Sequence, residues 1–168
     1  MKESGITLIE LLVTLTIVMI LASVALPLSR VSAKRSHEIE LRQHLRVMRT
    51  AIDTFKLEWN RDGDALLGPL CVKNKLTCKD VAGIYGYPKS LDALLGVKLT
   101  SEEATVRGTT VKRYLRSLPV DPMSGKADWQ LRCYKDVPGT SSWCGEDVYD
   151  VMTVSQDTAL DGTKYRDW

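Results

Sequence analysis

The sequence predicts an α+β protein in which one long N-terminal helix, first transmembrane and then amphipathic, packs on a small antiparallel β-sheet domain. Three observations predict it. An apolar run with a single charge fills residues 6–28, an apolar stripe of helical period follows over residues 41–59, and two late segments alternate as strands do. At 168 residues the chain holds one modest domain plus an anchor, which excludes a large multidomain enzyme.

MKESG precedes an apolar run, ITLIELLVTLTIVMILASVALPL, from Ile6 to Leu28. About 23 residues of helix rise roughly 34 Å, enough for a hydrocarbon core of about 30 Å. A cleaved secretory signal has a shorter apolar core with a small-residue cut site behind it. This run is longer and continues into more helix, so residues 6–29 are expected to remain as the transmembrane part. Glu10 stands out inside it, because a carboxylate in hydrocarbon costs on the order of a few kcal/mol unless it is paired or reaches the interface. Flanking basic residues pull the other way on orientation: Lys2 is the only one before the run, while Arg30, Lys34 and Arg35 follow it. A bare positive-inside count would leave the C-terminal side in the cytoplasm. The cysteines described below argue for the oxidising side instead.

Residues 30–62 read as the amphipathic continuation of the same helix. Leu41, Leu45, Met48, Ile52, Phe55 and Trp59 recur at steps of four and three, one stripe on a helix that awaits a covering domain. No glycine interrupts residues 6–62, Pro27 is the one built-in weakness, and Asn60 to Asp64 end the rod. His37 and His44 lie seven apart, with no carboxylate or cysteine spacing that argues for a metal site, and read as solvated or interfacial.

Residues 63–168 are expected to form the globular head. LLGPLCVKNKLTC reads as a loop bearing Gly and Pro, in which Cys71 and Cys78 would close a small ring. Ser90 as N-cap and Gly96 as stop predict a short helix over Leu91 to Leu95. Trp129, Leu131 and Cys133 alternate with Gln130, Arg132 and Tyr134, a half-buried strand whose antiparallel partner is DVYDVMTV, residues 147–154. Six and ten residues separate the local cysteine pairs, too many for a zinc knuckle. Four cysteines behind a membrane segment favour disulfides over four reduced, buried thiols. Three connectivities are possible, of which Cys71 to Cys78 with Cys133 to Cys144 is the simplest. In the tail, Ser155, Asp157, Asp161 and Asp167 gather oxygen donors of the kind calcium takes, usually six to eight together.

The leader MKESG followed by ITLIELLVTLTIVMILASVALP resembles the class III signal and N-terminal helix of type IV pilins and type II secretion pseudopilins. The resemblance is tight over residues 1–30, looser over residues 85–168, and absent for the Cys71 to Cys78 insertion. It implies cleavage by a prepilin peptidase after Gly5 and N-methylation of Ile6, which replaces the family's usual Phe. It implies that Glu10 pairs with the positive amino terminus of a neighbouring subunit during assembly, and that Pro27 is the helix-kinking proline. GIYGYPKSLDALLG resembles the segment before and through the short helix of major pseudopilins. Leu118, Pro119, Asp121 and Pro122 stand where the family has its Leu-Pro and Asp-Pro. The tail resembles the family's calcium loop, which implies calcium at Ser155, Asp157, Asp161 and Asp167, yet it is shorter and lacks the glycine-rich middle.

On this likeness the expected role is that of a type II secretion major pseudopilin. Such a protein is not an enzyme. It is a single-pass inner-membrane subunit with its C-terminal domain in the periplasm, polymerised with copies of itself into a helical filament that drives protein export. Its partners would be minor pseudopilins, the prepilin peptidase, and an inner-membrane platform with its ATPase. A type IV pilin of a surface filament shares the same N-terminal physics, but usually carries a larger sheet and a disulfide-bounded C-terminal loop. A membrane-anchored periplasmic enzyme or binding protein is the alternative of another class. It is disfavoured because GxSxG, HExxH, a phosphate loop and a Cys-His pair are all lacking. The charge is uneven: Arg30, Lys34, Arg35, Arg42, Arg46, Arg49 and Lys56 crowd the rod, and Asp121 to Asp167 carry an acidic end. In a self-assembling chain this predicts attraction between one subunit's flank and another's, in preference to nucleic acid.

Overall fold

A computed structural model describes residues 7–100, 110–137, 140 and 142–168. Helix α1 runs without a break from Leu8 to Trp59, 52 residues and about 78 Å of rod. Thr7 caps it: its hydroxyl oxygen accepts from the Glu10 backbone N–H at 3.3 Å. The rod stops three residues short of the expected 62, because Asn60 leaves helical geometry and residues Arg61–Asp62 already pair as β1 with Ala65–Leu66, β2. Gly63, at φ +57°, makes that tight hairpin possible.

The segment expected as a loop around the first cysteine pair is instead two short helices, α2 at Pro69–Lys73 and α3 at Lys75–Val81. Pro69 sits at the start of α2, where its missing N–H costs nothing, so here proline begins a helix. Cys71 and Cys78 are bonded to each other and buried, stapling α2 to α3 beneath Trp59. Asn74, at the joint, donates to the Leu70 carbonyl at 3.0 Å and accepts from the Thr100 N–H at 2.7 Å.

Helix α4 spans Asp92–Leu95 and ends at Gly96 as expected, but Ser90 is not its cap. Leu91 occupies the cap position, and Ser90 contributes its backbone carbonyl to the Ala93 N–H at 3.2 Å. A four-residue turn is closed by backbone alone, so the hydroxyl signal did not apply. Strands β3, Val97–Lys98, and β4, Val111–Lys112, form a second ribbon. The third joins β5, Trp129–Arg132, to β6, Asp150–Thr153, in the antiparallel register Trp129 to Thr153 and Arg132 to Asp150. Cys133 lies one residue beyond β5 and is bonded to Cys144, clamping the connection between the strands. Among the described residues the strands thus form three two-stranded ribbons.

These pieces form one core on the upper rod. Leu41, Leu45, Met48, Ile52, Phe55 and Trp59 are each at most 2% exposed and pack with Leu94, Val97, Val148, Val151 and Tyr165. Full burial of such side chains is worth roughly 1.5–3 kcal/mol each. The Leu-Pro and Asp-Pro segment is tied in through polar groups. Asp121 is buried and accepts from the Thr153 hydroxyl at 2.5 Å and the Met123 N–H at 2.8 Å, while Trp129 Nε1–H donates to Pro119.

Candidate functional site

Every residue from Thr7 to Ala33 is exposed. This half of α1 contains an 18-residue window of mean hydropathy 2.6, long and apolar enough to cross a membrane. Three of its hydroxyls are already satisfied within the helix: Thr14 donates to the Leu11 carbonyl, Thr16 to Leu12 and Val13, and Ser23 to Ile20. That bonding suits a polar side chain to hydrocarbon, where every unpaired group is costly.

Glu10 is different. It is the sole charged residue between Thr7 and Ser29, and no group among the described residues bonds its carboxylate. It stands in the first turn, where the positive end of the helix dipole favours an anion. That partial charge stabilises a carboxylate by about 0.3–1 kcal/mol, less than the cost of carrying it into lipid. Pro27 is inside α1 and the helix continues through it. Gly5 and Ile6 lie outside the described residues, as does the whole leader.

Among the described residues, Asp157, Asp161 and Asp167 do not form a set whose carboxylate oxygens lie within 4.8 Å of one another. Asp161 takes the Thr163 N–H and hydroxyl at 2.9 and 2.6 Å and Arg42 at 3.3 Å. The Thr163 bonds chiefly, with Arg42 beside them, hold its carboxyl below the ordinary range. Ser155 and Asp157 bond each other locally, and Asp167 belongs to a 3-10 turn, Tyr165–Asp167. Among the described residues, the one set of three acidic, His or Cys side chains whose ligand atoms lie within 4.8 Å of one another is Cys133, Asp136 and Cys144. Its two sulfurs are bonded to each other, so it is a disulfide with an acidic neighbour.

The sequence missed the groups that hold the tail. Arg49 donates to the Asp150 carboxylate at 2.7 Å, and to the Val151 and Trp168 carbonyls at 3.3 and 2.7 Å. Glu38 accepts from the Leu160 N–H and the Tyr165 hydroxyl, both at 2.8 Å, and Lys34 donates to the Thr158 carbonyl at 2.7 Å. Much of the charge asymmetry is therefore used within one chain, which corrects its reading as mutual attraction of subunits for Arg42, Arg49 and Asp161. A signal was present: Lys34, Glu38, Arg42 and Arg49 are spaced by four, four and seven, one face of a helix. Of the histidines, His44 donates through Nδ1 to the Val120 carbonyl at 2.9 Å, and His37 stands 3.9 Å from Glu40.

Comparison with known proteins gives one match. Residues 1–26 match the family described as the prokaryotic N-terminal methylation motif. No curated protein and no solved structure matches the chain. The matched segment covers the leader, the unpaired Glu10 and most of the bare apolar half of α1. It supports a type IV pilin-like protein, a structural subunit anchored by its N-terminal helix, with processing by a prepilin peptidase and assembly into a filament.

Proposed function

We propose that this protein is a structural subunit of a type II secretion pseudopilus. The peptidase cuts between Gly5 and Ile6, Ile6 is N-methylated, and the new amino terminus of one subunit neutralises Glu10 of the next. The observation that carries the pilin-like part of this reading is a bare apolar half-rod with one carboxylate unpartnered among the described residues, most of it inside the matched methylation motif. In a dry bundle of such rods an ion pair gains far more than in water, and an unpaired Glu10 is penalised. Addition of subunits at the membrane, driven by a cytoplasmic ATPase through an inner-membrane platform, would push folded cargo outward from the periplasm. Pro27 removes one helical hydrogen bond and supplies the soft point at which the rod adapts as it leaves the bilayer.

One observation favours the second reading, a type IV pilin of a surface filament: the Cys133–Cys144 bridge bounds a loop close to the end of the chain. The two readings separate in the cell that makes the protein. Deleting the gene is expected to leave exported enzymes in the periplasm without removing surface fibres. Loss of long fibres with export intact would establish the pilin instead. Co-expression with a prepilin peptidase tests what both share. Mass spectrometry should find a methylated Ile6 terminus in the wild type and an uncut chain in Gly5→Ala.

A further inference from the structure

We infer that the tail, residues 155–168, is locked onto α1 by side-chain cations and needs no calcium ion. Several of the oxygens a metal would draw on are already in use, while the Asp157 carboxylate takes only the Ser155 hydroxyl at 3.4 Å. Calcium takes six to eight oxygen ligands, commonly carboxylates and backbone carbonyls of one loop. In this tail the Asp157 carbonyl accepts from the Tyr165 N–H at 3.1 Å, the Ala159 carbonyl from Gly162 at 3.1 Å, and the Thr163 carbonyl from Ala159 at 2.8 Å. The Thr158 carbonyl is taken by the Lys34 ammonium, and both oxygens of Asp161 by Thr163 and Arg42.

The positive charge that a metal would bring comes from the rod. The Arg42 guanidinium bonds Asp161 and lies 4.0 Å from the centre of the Trp168 ring, so one side chain binds both a carboxylate and an aromatic face. Trp168 is fixed from two further sides, by its Nε1–H on the Thr163 hydroxyl at 2.7 Å and by Arg49 on its carbonyl. Tyr165 is buried, packs edge-on against Trp168 and reaches Glu38, while Lys34 stands 5.9 Å from its ring. Gly162, at φ +87°, closes the turn that brings Ala159 and Thr163 together. The loop is thus complete without a central ion. Cross-element arginine and lysine contacts replace the in-loop carboxylate cluster that a metal site would need.

The test uses the full chain in detergent. Thermal unfolding and amide exchange of residues 157–168 are followed in chelator and in calcium at about 5 mM, above the roughly 0.1–1 mM dissociation constants of extracellular sites. The expected result is one midpoint and one exchange pattern in both. Arg42→Gln is expected to speed exchange in the tail by about tenfold, the loss of one exposed ion pair and one cation–π contact, in either buffer. Because Arg42 is exposed, the head should remain folded, with exchange of Val151 and Met152 as the internal control. A saturable rise of the midpoint with calcium that is lost in Asp157→Asn would overturn the inference. So would tail exchange unchanged by both Arg42→Gln and Arg49→Gln.

Discussion

From Thr7 to Ala33 no side chain of the rod is covered, whereas from Leu41 to Trp59 seven are buried under the head. The backbone is the same α-helix throughout, so the difference lies in how apolar residues are arranged around it. The lower half is apolar on every side and presents one carboxylate. Its complement must surround it, as lipid does and as a bundle of identical rods would. The upper half is apolar along one stripe and charged elsewhere. A single small domain covers that stripe, and the charged flank of the same helix then holds the domain's tail. One helix thus carries two kinds of interface, of which this chain completes only the upper one.

Matched substitutions separate the two halves most sharply. Leu45→Ala should lower head stability by about 2–5 kcal/mol, because a buried leucine leaves a cavity, and Leu15→Ala should change it by less than about 0.5 kcal/mol. Denaturant unfolding of the full chain in detergent measures both, and equal effects would dissolve the distinction between the halves. A smaller effect concerns how the head resists its own loop. Replacing Cys133 and Cys144 together by Ala should remove about 2–4 kcal/mol, read from the same transition. Filament assembly through the lower half should be unaffected wherever the head still folds.

The smallest effect is one of pH. Asp147 is buried and accepts from the Tyr134 N–H at 2.9 Å, yet burial chiefly, with Glu146 and Asp136 nearby, raises its pKa above 3.8. A raised folded-state value means that its favourable contribution is present below 3.8 and is lost as pH rises through the raised value. At neutral pH the ionised group therefore opposes folding. Asp147→Asn keeps an acceptor for Tyr134 and should unfold at a higher midpoint than the wild type at pH 7. The gap should close on acidification. A gap that widens as pH falls would show that the carboxylate is net stabilising.

Much of the upper interface was legible beforehand. The buried stripe of α1 is the stripe the four-three spacing draws, and β5 pairs with β6 where the alternating segments stand. Both disulfides follow the local pairing that was simplest among three. The differences share a cause. Local preference makes Pro69 a loop residue and Ser90 a cap, but short helices take their boundaries from what they pack on: α2 from the bridge to Cys78, and α4 from its contact with α1 and the Leu94 carbonyl, which accepts from the Tyr114 and Leu115 N–H groups. Aspartates in the tail likewise looked alike in sequence, because nothing local tells Asp161, beneath Arg42, from Asp167 on an exposed turn.

By itself the sequence determined the long rod, its division into an all-round apolar half and a striped half, and the isolation of Glu10. These follow from periodicity and from the cost of a charge among apolar side chains, which neighbours along one helix suffice to express. Only the tertiary structure decided which charges meet. Lys34, Glu38, Arg42 and Arg49 find Thr158, Leu160, Asp161 and Trp168 more than a hundred residues away, and contacts across such separations depend on the path of the folded chain, to which local patterns are blind.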